Sequence, residues 1–119
     1  ADALAYFYKV EYLEKNPDNA RRAIGWCSFV SGKYEEALKY YRLLLAEPAP
    51  KGEDIMNAGH VYFVMQQMKK AIQHYQLAQT YAKSHTDFIE KFNKDKNILL
   101  AKGLQEEERQ IMLELLVQG

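Results

Sequence analysis

The chain has 119 residues, nearly half of them apolar, which is enough for one compact domain with a core and excludes disordered or collagen-like classes. Sixteen basic residues balance sixteen acidic ones, so there is no overall field to draw in nucleic acid or an anionic membrane. A lone cysteine, Cys27, cannot close an internal disulfide, no apolar run reaches the length of a membrane span, and few Pro and Gly favour helices over turn-dense β structure.

In chain order, the first expected helix runs from Ala3 to Lys15, and Asn16-Pro17-Asp18 reads as a turn with Asp18 as the next N-cap. Ala20, Ala23, Ile24, Cys27 and Val30 recur at helical spacing, which predicts a helix over Asp18–Val30. Gly32 ends it. A partner helix follows over Lys33–Ala46, with Tyr34, Ala37, Leu38, Tyr41, Leu44 and Leu45 on its apolar face, and Pro48 and Pro50 stop it. Helices are then expected over Glu53–Met65 and Gln67–Lys83. Ser84 and Asp87 are spaced as the start of another that reaches Ala101. Lys102-Gly103-Leu104 reads as a stop in which Leu104 packs back on the preceding turn. Glu106, Glu107 and Glu108 open a last helix striped by Ile111, Met112, Leu115 and Leu116. The count is about seven helices.

A shift of 34 residues superposes the chain on itself. It places Gly25 on Gly59, Phe29 on Phe63, Val30 on Val64, Ala37 on Ala71 and Tyr41 on Tyr75. Ala3, Leu4 and Phe7 fall in the columns of Ala37, Leu38 and Tyr41. Small residues recur where two helices would cross and aromatics recur to fill the remaining space. These residues resemble the tetratricopeptide repeat family. Reading from Asp18, Gly25 stands at the family's signature small position, Gly32 at its turn glycine, and Tyr34, Ala37 and Tyr41 at its second-helix positions. Gly59, Met68, Ala71, Tyr75 and Ala78 repeat the pattern from Gly52. The departures are Arg21 and Ile55 at the early Trp or Leu position, and Gln66 in place of the second turn glycine.

The resemblance implies an all-α, right-handed solenoid of antiparallel helix hairpins in a single domain. It would comprise a half-repeat helix at 1–16, repeats at 18–51 and 52–85, and a divergent capping hairpin at 86–119. The first helix of each unit should line a concave face. That face is expected to carry Asn19, Arg22, Trp26 and Phe29, then Met56, Asn57, His60 and Phe63, with Glu90 and Asn97 from the third such helix. A protein or peptide partner would be captured there, although Trp26, Phe29 and Phe63 also suit simple packing between helices. The carboxylate clamp of some family members is incomplete, because Trp26 stands where an asparagine is needed.

No phosphate-binding loop, zinc-protease helix, nucleophile elbow or paired ligand spacing is present, so neither catalytic residues, a bound metal nor a cofactor is expected. His60 should face the groove, and His74, in the column of Tyr6 and Tyr40, should be a surface or packing residue. Cys27 reads as an inert packed thiol, and Asp18, Glu35, Glu36 and Asp54 as residues of helix ends or outer faces. Residues 51–103 carry eight Lys against five acids, whereas residues 104–119 carry four Glu against one Arg, a pattern of solvated helix faces. The function expected is a non-enzymatic interaction scaffold. The competing expectation is a structural segment of a longer superhelix, or a homodimer formed through the first helix, whose Leu4, Phe7, Tyr8 and Val10 would lack a partner. One unpaired thiol and no exporting segment point to the cytosol.

Overall fold

A computed structural model of the chain describes residues 2–13 and 17–118. Among these it is all helical, with eight helices and no strand: α1 (Asp2–Leu13), α2 (Asp18–Val30), α3 (Tyr34–Leu45), α4 (Gly52–Val64), α5 (Met68–Tyr81), α6 (His85–Lys94), α7 (Lys96–Ala101) and α8 (Glu106–Gln118). Lys15 and Asn16, where the first helix was expected to end and the turn to begin, lie outside the described residues. Asp18 is the first residue of α2 and not its cap. Pro17 holds the cap position with no side-chain hydrogen bond, and its carbonyl accepts from the Arg21 N–H at 2.9 Å.

From α1 to α5 each helix packs chiefly on the next one in sequence, and α8 returns to lie on α5. The α2/α3 and α4/α5 pairs close in the same way. Gly25 of α2 and Gly59 of α4 sit against the rings of Tyr41 and Tyr75. A Cβ added to Gly25 would lie 3.1 Å from the Tyr41 ring, and one on Gly59 would lie 2.9 Å from Tyr75 Cε1. The missing side chain sets how closely each helix approaches its neighbour. Ala37 and Ala71, one turn before each tyrosine, are buried as well.

The ends of α2, α4 and α7 share one hydrogen-bond pattern. Lys33 N–H donates to Ser28 C=O, Gln67 N–H to Tyr62 C=O and Leu104 N–H to Leu99 C=O, at 2.8, 2.9 and 3.2 Å. This is the Schellman reversal, which needs a left-handed residue one position earlier. Gly32 and Gly103 supply it, with φ of 81° and 104°. Gln66 adopts it too, with φ of 62°. The turn is therefore retained where its glycine is absent, because the burial of Tyr62, Phe63 and Tyr75 on both sides outweighs about 1–2 kcal/mol of local strain.

The expected helix of residues 84–101 is two helices. Its start is as anticipated, with the Ser84 hydroxyl accepting from the Asp87 N–H at 3.0 Å. It breaks at Asp95 (φ −97°, ψ 15°), whose carboxylate turns to His60. Phe88, Phe92, Leu99 and Leu104 from this region join the core built by α2–α5. As a result Asp54–Phe63, ten consecutive residues of α4, are all buried. A helix buried on every side is covered by more than its own hairpin partner.

At the other end, Leu4 is buried against Ile24 and Tyr40, with Phe7 packed beside them, so these residues leave no open patch. Glu11 accepts from Arg21 Nε at 3.0 Å and from the Tyr40 hydroxyl at 3.1 Å, which ties α1 to α2 and α3. Burial, and then this bond, push the Tyr40 phenol up to about 12. The aromatics that stay exposed on α1 are Tyr6, Tyr8 and Tyr12. On α8, Met112 and Leu116 are covered while Ile111, Leu115 and Val117 face solvent.

Two substitutions test this account. Gly59→Ala should lower stability by about 1–3 kcal/mol, because the methyl group must displace the buried Tyr75 ring. Gln66→Gly should raise it by up to about 1 kcal/mol by relieving the left-handed strain. Chemical denaturation followed by helical circular dichroism measures both.

Candidate functional site

A cleft of about 710 Å³ opens between α2, α4, the end of α5 and α6. Asn19, Arg22, Ala23 and Trp26 face it from α2, spaced at three and four residues, as one face of a helix must be. Gly52, Glu53, Met56 and Asn57 line it from α4. Ala78, Tyr81 and Ala82 come from α5 and its end, and Phe88, Lys91, Lys94 and Asp95 from α6 and the break after it. Gly52 lets α5 close in, since a Cβ there would lie 2.9 Å from the Cβ of Tyr81.

Of the residues expected to meet a partner, the structure brings Asn19, Arg22, Trp26, Met56 and Asn57 together on this cleft. Phe29, His60 and Phe63 are not on it. All three are core residues, with exposures of 0, 0 and 1%. They fall later in their helices, where α6 packs on His60 and the turn after α7 reaches Phe29. Phe92 stands 5.8 Å from His60, and the Lys102 ammonium sits 5.8 Å over the Phe29 ring while it caps the Val30 carbonyl at the end of α2. Glu90 and Asn97 are exposed and do not line the cleft.

His60 is a structural link and not a groove residue. Burial pushes the Tyr75 phenol well above its ordinary value, and the charge of Asp95 adds to this, so Tyr75 keeps its proton. Its hydroxyl donates to His60 Nδ1 at 2.6 Å, which leaves Nε2–H to donate to Asp95 at 3.1 Å. One imidazole thus joins α5, α4 and the α6–α7 break. Arg109, buried from α8, stacks 5.3 Å over Phe92 and bonds Glu106 and Asn93. His74 is half-buried beside Tyr62, and its Nδ1 lies 2.7 Å from the Lys70 carbonyl oxygen.

Asp54 was expected at a helix end or on an outer face; it lies in the first turn of α4, and it is only 1% exposed. Both its oxygens accept from Arg22, from Nε at 2.7 Å and from Nη2 at 2.8 Å, while Arg22 Nη1 donates to Asn19 Oδ1 at 2.9 Å. The Asp54 hydrogen bonds hold the Arg22 guanidinium above its ordinary value. Cleft cations Arg22, Lys91 and Lys94 are matched by Asp54, Glu53 and Asp95, so the site has no net formal charge from these six. Lys91 also pairs with Asp87 at 3.2 Å. Nothing in the sequence pointed to the α5 wall, to the residues by which α6 lines the cleft, or to the Arg22–Asp54 pair. The pair spans 32 residues, off the 34-residue period, so the repeat gave no sign of it.

Among the described residues no group of three or more His, Cys, Asp or Glu is placed to hold a metal ion, and no helix is long and apolar enough to cross a membrane. No protein-family model, curated protein or solved structure matches the chain.

The wall formed by α6 should be sensitive to acid. The Lys83 backbone N–H, and then the Lys91 ammonium, hold the Asp87 carboxyl below its ordinary value of 3.8. The capping energy is therefore whole above about pH 4 and is lost as pH falls through the lower folded value. Amide protection factors at the start of α6, taken relative to the intrinsic exchange rate at each pH, should fall on acidification below about pH 4, and an Asp87→Asn chain should show the lower protection already at neutral pH.

Proposed function

We propose that the chain is a tetratricopeptide-type array, a right-handed solenoid segment capped by α6–α8, and that it binds a protein or peptide partner without being an enzyme. The observation that carries the reading is the convergence of α2, α4 and α6, every second helix, on one cleft around Trp26 and Met56. A cleft of this size, combining apolar surface with polar and charged side chains, suits anchoring side chains from a peptide or a protruding loop. The repeated glycine–tyrosine contact in both hairpins supports the family reading, as does the turn that Gln66 keeps.

Affinity capture from a lysate, with partners identified by mass spectrometry, tests this when the chain is compared with two single variants. Trp26 is half-buried at the cleft, so Trp26→Ala should lose the captured partner and keep the helical spectrum. Phe63→Ala removes a core ring and should cost about 3–5 kcal/mol of stability. Capture that survives Trp26→Ala would sink the proposal.

A second reading, self-association or continuation of a longer superhelix, is favoured by the exposed α1 tyrosines, Tyr12 being 87% exposed and Tyr6 62%. Light scattering across a dilution series decides the first part of it. A dimer that a Tyr6→Ser/Tyr12→Ser chain cannot form would support it, whereas a monomer at every concentration would remove self-association.

A further inference from the structure

We propose that Arg22, locked in place by the buried Asp54, reads the main chain of an uncharged, extended peptide segment whose apolar side chain lodges against Trp26 and Met56. The proposal rests on the peptide-binding reading and narrows it to one ligand chemistry.

A carboxylate as buried as Asp54 is costly unless it is paired and hydrogen-bonded. Arg22 meets that need with a bidentate fork, and Asn19 takes a third N–H. A guanidinium has five N–H donors. Two remain, one on each terminal nitrogen, on a side chain that lines the cleft and is 17% exposed. The group is rigid before any ligand arrives, which lowers the ordering cost of using it.

Its charge decides what it accepts. Asp54, at 2.7 Å behind the lining, cancels the positive charge of Arg22, and the other charged lining residues, Lys91 and Lys94 against Glu53 and Asp95, cancel one another. A phosphate or carboxylate brought to Arg22 would meet the field of Asp54 and gain little. A neutral carbonyl oxygen gains a hydrogen bond from a charged donor without that repulsion. Asn57, at the same cleft, carries a carboxamide whose paired donor and acceptor match a peptide amide, and Asn19, whose Oδ1 already accepts from Arg22, adds an amide donor. Asp54 is thus a positioning residue. A purely structural tie between α2 and α4 would satisfy the same two side chains but would leave Arg22 indifferent to ligand.

The test is a nuclear magnetic resonance titration of the whole chain with N-acetyl-leucine N-methylamide, a probe with two main-chain amides and one apolar side chain. Sodium acetate and sodium phosphate are titrated in parallel. The Trp26 indole N–H and the Arg22 Nε–H signals should shift together and saturate with the diamide, and neither anion should move them over the same range. Asp54→Asn, which frees the guanidinium to turn and restores its charge, should weaken the diamide about tenfold and let phosphate shift Arg22. A shift of Trp26 with Arg22 unmoved would overturn the main-chain role and leave the cleft standing. Anions that move Arg22 in the unaltered chain would overturn the neutral-ligand assignment. If the diamide moves neither signal, the peptide cleft fails with it.

Discussion

The contact between a glycine on one helix and a tyrosine ring on the next governs this molecule. A ring lying about 3 Å from where a Cβ would stand leaves no slack, so the spacing of α2 to α3 and of α4 to α5 is fixed by steric exclusion. The same tyrosines reach beyond their hairpins. Tyr75 touches Phe63 and Phe92 edge-on, at 6.0 and 5.2 Å, and donates its hydroxyl to His60. One residue thereby closes a helix pair, fills the core and anchors the α6–α7 break.

The cleft follows from how α6 and α7 cross the face formed by α2 and α4. Phe92 of α6 packs on His60 and Lys102, just after α7, lies over Phe29, while Asn19 to Trp26 of α2 and Gly52 to Asn57 of α4 face the open cleft. Polar groups fix this placement where apolar packing alone would allow sliding. His60–Asp95 holds the break, Lys102 caps the end of α2, and Arg109 seats α8 on Phe92. Each is a directional contact between segments far apart in the chain. Misplacing the first or the last would leave the buried His60 or Arg109 without a partner.

The open part of the cleft combines aromatic and thioether surface with a charge arrangement that sums to zero. Such a site has little to gain from long-range attraction, and selectivity must come from shape and from a few fixed hydrogen-bond donors. Its exposed counterparts, the tyrosines of α1 and the aliphatic residues of α8, lie on other helices, the first and the last described.

Periodicity alone determined the helical class, the placement of most helices and the glycine–aromatic columns, because these depend on residues three, four or thirty-four apart. The Gly32 turn, the Ser84–Asp87 cap and the return of Leu104 were readable for the same reason, since each is local hydrogen bonding. Five residues of the cleft, among them Arg22 and Trp26, were placed together by the repeat resemblance, which assigns the first helix of each unit to one face. Which parts of that face stay open could not be read, because it depends on where α6 and α7 fall, and their position is set by His60 with Asp95 and by Phe92 in the core. Nor did spacing show that Asp54 is buried. Its partner lies on another helix at an interval that matches no repeat, and only packing α2 against α4 brings the two charges together.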